Sequence, residues 1–233
     1  MARHVRIEIA DSALVPRFFA DFYHARSHAT VRPLLCFWDG AISAREYERR
    51  RTTTPDAIVR HWLSAATEVP LRPDLLVFSL PDLEPCTTSV LRHRLRRAFA
   101  EVVAASPNPW CSAMGYVGHS AGAYVATCLA FDVQRSRSLA TLGGVDMGDA
   151  LSETPHPPFA RLSVATFANA GDPCRDHTFT FVKAAALHRA HVTVQAAPGG
   201  HDLRDYAANG SLRAAFVFAA EHLFASRLAV HAD

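Results

Sequence analysis

The chain has 233 residues, 49% hydrophobic and 20% charged, with 24 Lys and Arg against 22 Asp and Glu for a formal net charge of +2. That length and balance suit one soluble domain spanning 1–233 with a sizeable core, and so small a charge argues against nucleic acid as a partner. No apolar stretch approaches membrane-spanning length, and the 13 His and 5 Cys contain neither His-Glu-x-x-His nor Cys-x-x-Cys, so no membrane, metal or cofactor is expected.

In chain order, residues 1–10 alternate polar and apolar, which predicts a strand at 4–9 and lacks the long apolar core of a secretion signal. A strand follows at 33–38, then a helix at 55–67 that opens with Thr54 as cap and Pro55 in its first turn. A strand at 74–79 precedes a helix at 88–105. There Leu91, Leu95, Phe99 and Val102 form one stripe, leaving Arg92, Arg94, Arg96 and Arg97 on or near the solvated side; Glu48-Arg49-Arg50-Arg51 reads as another solvated face. Strands at 113–117, 138–143, 162–168 and 191–196 and helices at 121–132, 178–188 and 210–226 complete the chain. This alternation predicts an α/β fold with a mostly parallel sheet covered on both faces. Cys36, Cys86, Cys111, Cys128 and Cys174 are odd in number and without paired spacing, the pattern of free thiols in a reducing cytoplasm.

Gly118-His119-Ser120-Ala121-Gly122 falls between the strand at 113–117 and the helix at 121–132. That context sets a serine on a sharp strand-to-helix turn with its hydroxyl presented as a nucleophile. The glycines have a steric reason, because the turn strains the serine backbone and brings strand and helix too close for side chains at either flank. The alternative is a glycine-lined turn whose serine caps the helix. An acid and a histidine follow in the order this chemistry uses, which favours the nucleophile.

His201, in Pro198-Gly199-Gly200-His201-Asp202, comes directly after the last strand, and the glycines let its loop approach Ser120. Asp202 beside it is a solvated neighbour or a helix cap, and other histidines such as His4, His61 and His188 read as surface or helix-face residues. For the acid, Gly171-Asp172-Pro173-Cys174-Arg175-Asp176 offers two carboxylates after the strand at 162–168. Asp172, nearer the strand end, is preferred. Asp176 follows Arg175 and can pair with it at the surface, and Asp146 and Asp149 are the remaining candidates.

On these residues the chain resembles the α/β-hydrolase superfamily, and within it the compact serine esterases of the esterase D and feruloyl-esterase type. The resemblance spans most of the chain and rests on Gly118-His119-Ser120-Ala121-Gly122, on Asp172 followed nine residues later by Phe181, and on Pro198-Gly199-Gly200-His201-Asp202. It implies an α/β-hydrolase fold with Ser120 as nucleophile, Asp172 as acid and His201 as base. By position the oxyanion donors are the N–H of Ala121 and that of Gly40 or Ala41. That family usually opens this loop with His-Gly, whereas here Trp38-Asp39-Gly40-Ala41 follows the strand. An unpaired Asp39 carboxylate would oppose a developing oxyanion unless it turns outward or pairs with Arg45.

Only 149–159, with Pro155, Pro157 and Pro158, leaves room for a lid, so little or no lid domain is expected, with a shallow pocket walled by the loops at 38–54 and 81–88. Trp38, Tyr47, Trp110 and His119 are candidates to line it, although each aromatic suits a core or rim position equally. The expected reaction is two-step acyl transfer on a small-molecule ester. The alternatives are a thioesterase or acyltransferase acting on coenzyme A or carrier-protein thioesters, and a non-catalytic binding protein on a hydrolase fold.

Overall fold

The structure is a computed structural model that describes residues 4–9, 18–25, 32–40, 45, 48–49, 56–70, 72–79, 88–144, 162–187 and 192–223. Its strands are β1 (His4–Ile9), β2 (Phe18–Tyr23), β3 (Leu34–Trp38), β4 (Asp74–Ser79), β5 (Met114–His119), β6 (Ser136–Leu142), β7 (Ser163–Asn169) and β8 (Val192–Ala197). Its helices are α1 (Asp56–Ala65), α2 (Thr88–Ala105), α3 (Ala121–Asp132), α4 (Arg175–Leu187), α5 (Leu203–Ala208) and α6 (Ser211–His222). The strands form one sheet in the order β1-β2-β4-β3-β5-β6-β7-β8. β2 runs antiparallel to β1 and β4, and every other neighbouring pair is parallel.

β3, β4 and β5 are buried along their whole length, which is why their sequences read as nearly unbroken apolar runs: a parallel strand covered by helices has no wet face. One face packs under α2, α3 and α4 through residues such as Phe99, Val125, Leu129 and Phe181; the other packs under α1 and α6 through Ile58, Trp62, Leu212 and Phe216. α3 buries nine of its twelve residues, so its apolar surface extends round the helix rather than along one stripe.

β2 is absent from the sequence-based expectation because Asp21 interrupts its aromatic run. Asp21 is 1% exposed, and it is tolerated there because β1 pairs beside it in register, Arg6 opposite Asp21. Two guanidinium bonds of 2.9 Å and one from His4 at 2.7 Å satisfy the carboxylate. Arg92 also departs from the expected solvated face. It is buried and forks onto Asp132 of α3 at 2.7 and 2.8 Å, tying α2 to α3, while Arg96 and Arg97 stay exposed. Cys36, Cys111 and Cys128 are buried free thiols and Cys174 is a partly exposed one. No helix among the described residues is long and apolar enough to cross a membrane.

Candidate active site

The parallel strands all point their C-terminal ends to one edge of the sheet, and the loops leaving β3, β5, β6, β7 and β8 meet there, where open α/β sheets place their ligands. Ser120 follows β5 with φ 54° and ψ −127°, and among the described residues no other non-glycine has a positive φ. Holding it there costs on the order of 1–3 kcal/mol. The flanking glycines make the turn possible. A Cβ on Gly118 would stand 2.5 Å from the Gly122 carbonyl oxygen and 2.6 Å from Ala123 Cα, and one on Gly122 would overlap the carbonyls of Trp38 and Asp39. Ser120 makes no side-chain capping bond to α3. Its Oγ lies instead 2.8 Å from His201 Nε2, which removes the helix-cap reading.

His201 Nδ1 donates to Asp172 Oδ1 at 2.8 Å, because an ionised carboxylate only accepts; Nε2 is thereby left as the acceptor for the Ser120 hydroxyl. The same Oδ1 accepts the Cys174 N–H at 2.7 Å, and Oδ2 accepts the Tyr206 hydroxyl at 2.5 Å. Burial pushes the Asp172 carboxyl upward, but the bonds from Tyr206, His201 and Cys174 outweigh it and hold the group below the ordinary carboxylate value. Burial, and then the bond to Asp172, push the Tyr206 phenol well up, so it stays a donor. Asp176 lies exposed in the first turn of α4, away from this cluster. Asp146 and Asp149 lie outside the described residues.

Several residues that the sequence did not single out hold this arrangement. Tyr206, fully buried on α5, also receives the Asn169 N–H at 3.3 Å. The Asn169 amide donates to the Gly200 carbonyl and accepts from Asn209, both at 2.8 Å, so the end of β7 carries the loop that bears His201. Asp202 caps α5 through the Arg204 N–H, the second of the two roles expected for it. Gly143, at φ 51°, ends β6 directly beneath the cluster: a Cβ there would collide with the Asp172 carboxylate and stand 2.7 Å from the Tyr206 hydroxyl. The available signal was a cap residue, Asp202, followed by a short helical turn, but nothing local tells that Tyr206 faces inward.

Tyr206→Phe removes one charge-assisted bond to Asp172. Without that bond Asp172 moves back up towards its unfolded pKa. A group depressed in the folded state stabilises above its unfolded pKa, and that contribution fades as pH falls through the folded value. The stability gap between parent and Tyr206→Phe is therefore full near neutrality and narrows on acidification. Denaturant melts of both proteins across a pH series check this, and a gap independent of pH would assign Tyr206 to packing alone.

Four candidate positions turn out differently from expectation. Trp38 is fully buried and its ring stacks on Phe78, centroids 3.9 Å apart, so the ring belongs to the core instead of the substrate site. Trp110 is 75% exposed but precedes β5, roughly 20 Å from Ser120 along the strand. His119 does not line a pocket: it is 7% exposed, and its Nε2 donates to the His201 carbonyl at 2.8 Å, tying the nucleophile turn to the loop of the base. Asp39 is 5% exposed rather than turned outward, accepts the Gly40 N–H at 2.8 Å and faces His119 Nδ1 at 3.5 Å. Gly40 packs closely on Ser120, with 3.1 Å from a built Cβ to Ser120 Cβ, but its N–H is engaged by Asp39. Ala121 is the first residue of α3, where an N–H has no partner within the helix. Ala41, Tyr47 and the 149–159 segment lie outside the described residues.

One donor atom each from Asp172, Cys174 and His201 lie within 4.8 Å of one another, a grouping of metal-ligating side chains among the described residues.

No family model matches the chain, and no curated protein matches it by sequence. Solved structures do match by shape. A ferulic acid esterase superposes with a TM-score of 0.66 at 12% identity, covering 93% of this chain and 98% of that one. The thermophilic carboxylesterase EstE1, cloned from a metagenomic library, superposes with a TM-score of 0.68 at 11% identity over 95% and 89%. The S-formylglutathione hydrolase FrmB of Staphylococcus aureus gives 0.63 at 12% identity over 94% and 97%. The chain has the α/β-hydrolase fold. The strand order and the helices on both faces of its mostly parallel sheet accord with that assignment. At identities this low the likeness concerns architecture, and chemistry must be argued from the residues at the C-terminal edge.

Proposed function

We propose that the chain is a serine hydrolase that cleaves a carboxylic ester of a small molecule, with 1–233 as one catalytic domain and Ser120, His201 and Asp172 as the working residues. The observation that carries this reading is the unbroken relay from Ser120 Oγ through His201 to Asp172, with both links at 2.8 Å, on a serine turn that exacts backbone strain. Ser120 Oγ attacks the ester carbonyl while its proton passes to His201 Nε2. The imidazolium so formed is stabilised by Asp172, and the same proton goes to the departing alkoxide, leaving an acyl serine. Water, deprotonated by His201, releases the acid. The Ala121 N–H faces the developing oxyanion, and with the Gly40 N–H held by Asp39, Ala41 is the second donor by position. Supporting the choice of ester, two of the similar folds carry esterase and carboxylesterase names.

An active-site-directed fluorophosphonate tests the reading without knowledge of substrate, because only an activated serine reacts. We expect stoichiometric labelling that peptide mapping assigns to Ser120 and that Ser120→Ala abolishes, together with hydrolysis of p-nitrophenyl esters of short or medium acyl chain. A folded protein that takes no label would be a binding protein on this fold, and a label mapped elsewhere would overturn Ser120 as the nucleophile.

A further inference from the structure

Cys174 has no part in the relay just described, yet its thiol stands beside it. It follows Asp172 by two residues in the turn before α4, and its backbone N–H is bonded to Asp172 Oδ1, which fixes where the side chain starts. It is partly exposed, whereas Cys36, Cys111 and Cys128 are buried. A thiol, an imidazole and a carboxylate with donor atoms within 4.8 Å of one another are the three ligand types that zinc selects. Zinc bond lengths of about 2.0–2.3 Å require the donors to close to roughly 3.5 Å. The Asp172 and His201 atoms stand at 2.8 Å, the length of the hydrogen bond between them, so to admit an ion they part by roughly half an ångström while the Cys174 side chain turns towards them. The second oxygen of Asp172 stays anchored by Tyr206, an outer-shell bond of the kind that orients carboxylate ligands. His201 is 29% exposed, so an ion reaches the group from the solvent side that His201 and Cys174 share.

We propose that Asp172, Cys174 and His201 bind one zinc ion, and that its occupancy switches Ser120 off. Binding releases the thiol proton to solvent. The ion takes the lone pair of His201 Nδ1 in place of the hydrogen bond to Asp172 Oδ1, and the ring proton moves from Nδ1 to Nε2. Nε2 then points an N–H at Ser120 and has no lone pair to accept the serine proton. Water fills the fourth position. Ion binding stands on geometry alone, while the switching of Ser120 rests on the hydrolase reading.

The experiment uses the full chain freed of metal with a chelator. Cadmium, which binds the same ligands, gives an ultraviolet thiolate charge-transfer band on coordination by sulfur. We expect that band at one equivalent in the parent and its loss in Cys174→Ala. Calorimetric zinc affinity should fall by at least about tenfold in Cys174→Ala and again in His201→Ala, since losing a direct ligand costs no less than the ~10–100-fold of an outer-shell partner. In the parent, ester turnover should fall along the zinc-binding curve and return with chelator; in Cys174→Ala, normalised to its own zinc-free rate, the midpoint should shift up by the same factor as the affinity. Cys174→Ser serves if Cys174→Ala misfolds. A parent with no Cys174-dependent band overturns the site, and stoichiometric zinc that leaves turnover intact overturns the switch. A chain with no ester turnover but a Cys174-dependent band keeps the ion site and defeats the hydrolase reading instead.

Discussion

Ser120→Ala and His201→Ala should each lower ester turnover by about 10⁴–10⁶-fold, and the double variant should lose little more than either single one. The reason lies in the shared proton. His201 Nε2 is 2.8 Å from Ser120 Oγ, and in the proposed first half-reaction it takes that proton and passes it to the leaving alkoxide. Once the hydroxyl is gone the base has nothing to accept, and once the base is gone the hydroxyl stays a weak nucleophile. Neither truncation is expected to unfold the protein, since Ser120 makes no capping bond and His201 is part-exposed. Steady-state rates of the three variants on one ester, with circular dichroism to show that they are folded, measure this. If the double variant lost the product of the two single factors, the residues would be acting independently and the relay would be discarded.

Asp172→Asn should lower turnover by about 10²–10⁴-fold while Asp176→Asn stays within about tenfold of the parent. The surroundings of Asp172 refine that range. Two N–H donors, from His201 and Cys174, meet at Oδ1, so an asparagine places its carbonyl there. Its amide then turns to the Tyr206 oxygen, which accepts as easily as it donates. The imidazole keeps its tautomer, and what is lost is the charge that stabilises the imidazolium, which argues for the lower end of the range. Asp176 is exposed, and the carboxylate bonded to His201 Nδ1 is that of Asp172, so the Asp176 variant reports only a surface change. Parallel assays at one pH decide between them: a crippled Asp176→Asn beside a near-normal Asp172→Asn would reassign the acid.

Both expectations concern residues legible before any coordinates, and the reason is local geometry. A nucleophile turn demands glycines at fixed offsets from one serine, and a base loop demands small residues after a strand; such demands are met within about five residues of chain, so Gly118 to Gly122 and Pro198 to Asp202 announce themselves. The same holds for the central strands, whose burial on both faces leaves an unbroken apolar signature. Five predicted helices and seven predicted strands have counterparts in the structure, with ends displaced by up to a few residues, where capping and packing set the boundary.

What the tertiary structure alone decided involves partners far apart in sequence. Tyr206 meets Asp172 across 34 residues, Asn169 meets Gly200 across 31, and His119 meets His201 across 82; sheet order brings each pair together, and no window of sequence contains both members. β2 stayed hidden for the same reason, because Asp21 is compatible with a buried strand only when Arg6 and His4 on the neighbouring strand complete its hydrogen bonds. Trp38 shows the converse. Adjacency to Asp39 and Gly40 made it a candidate wall of the pocket, but the pleat turns its ring onto Phe78 in the core, since successive side chains on a strand face opposite ways. Sequence by itself thus determined the residue types demanded by backbone conformation and the order of the elements; which distant polar groups satisfy one another was left to the packing of the sheet, because a buried hydrogen bond depends on where two segments come to lie and not on what either one contains.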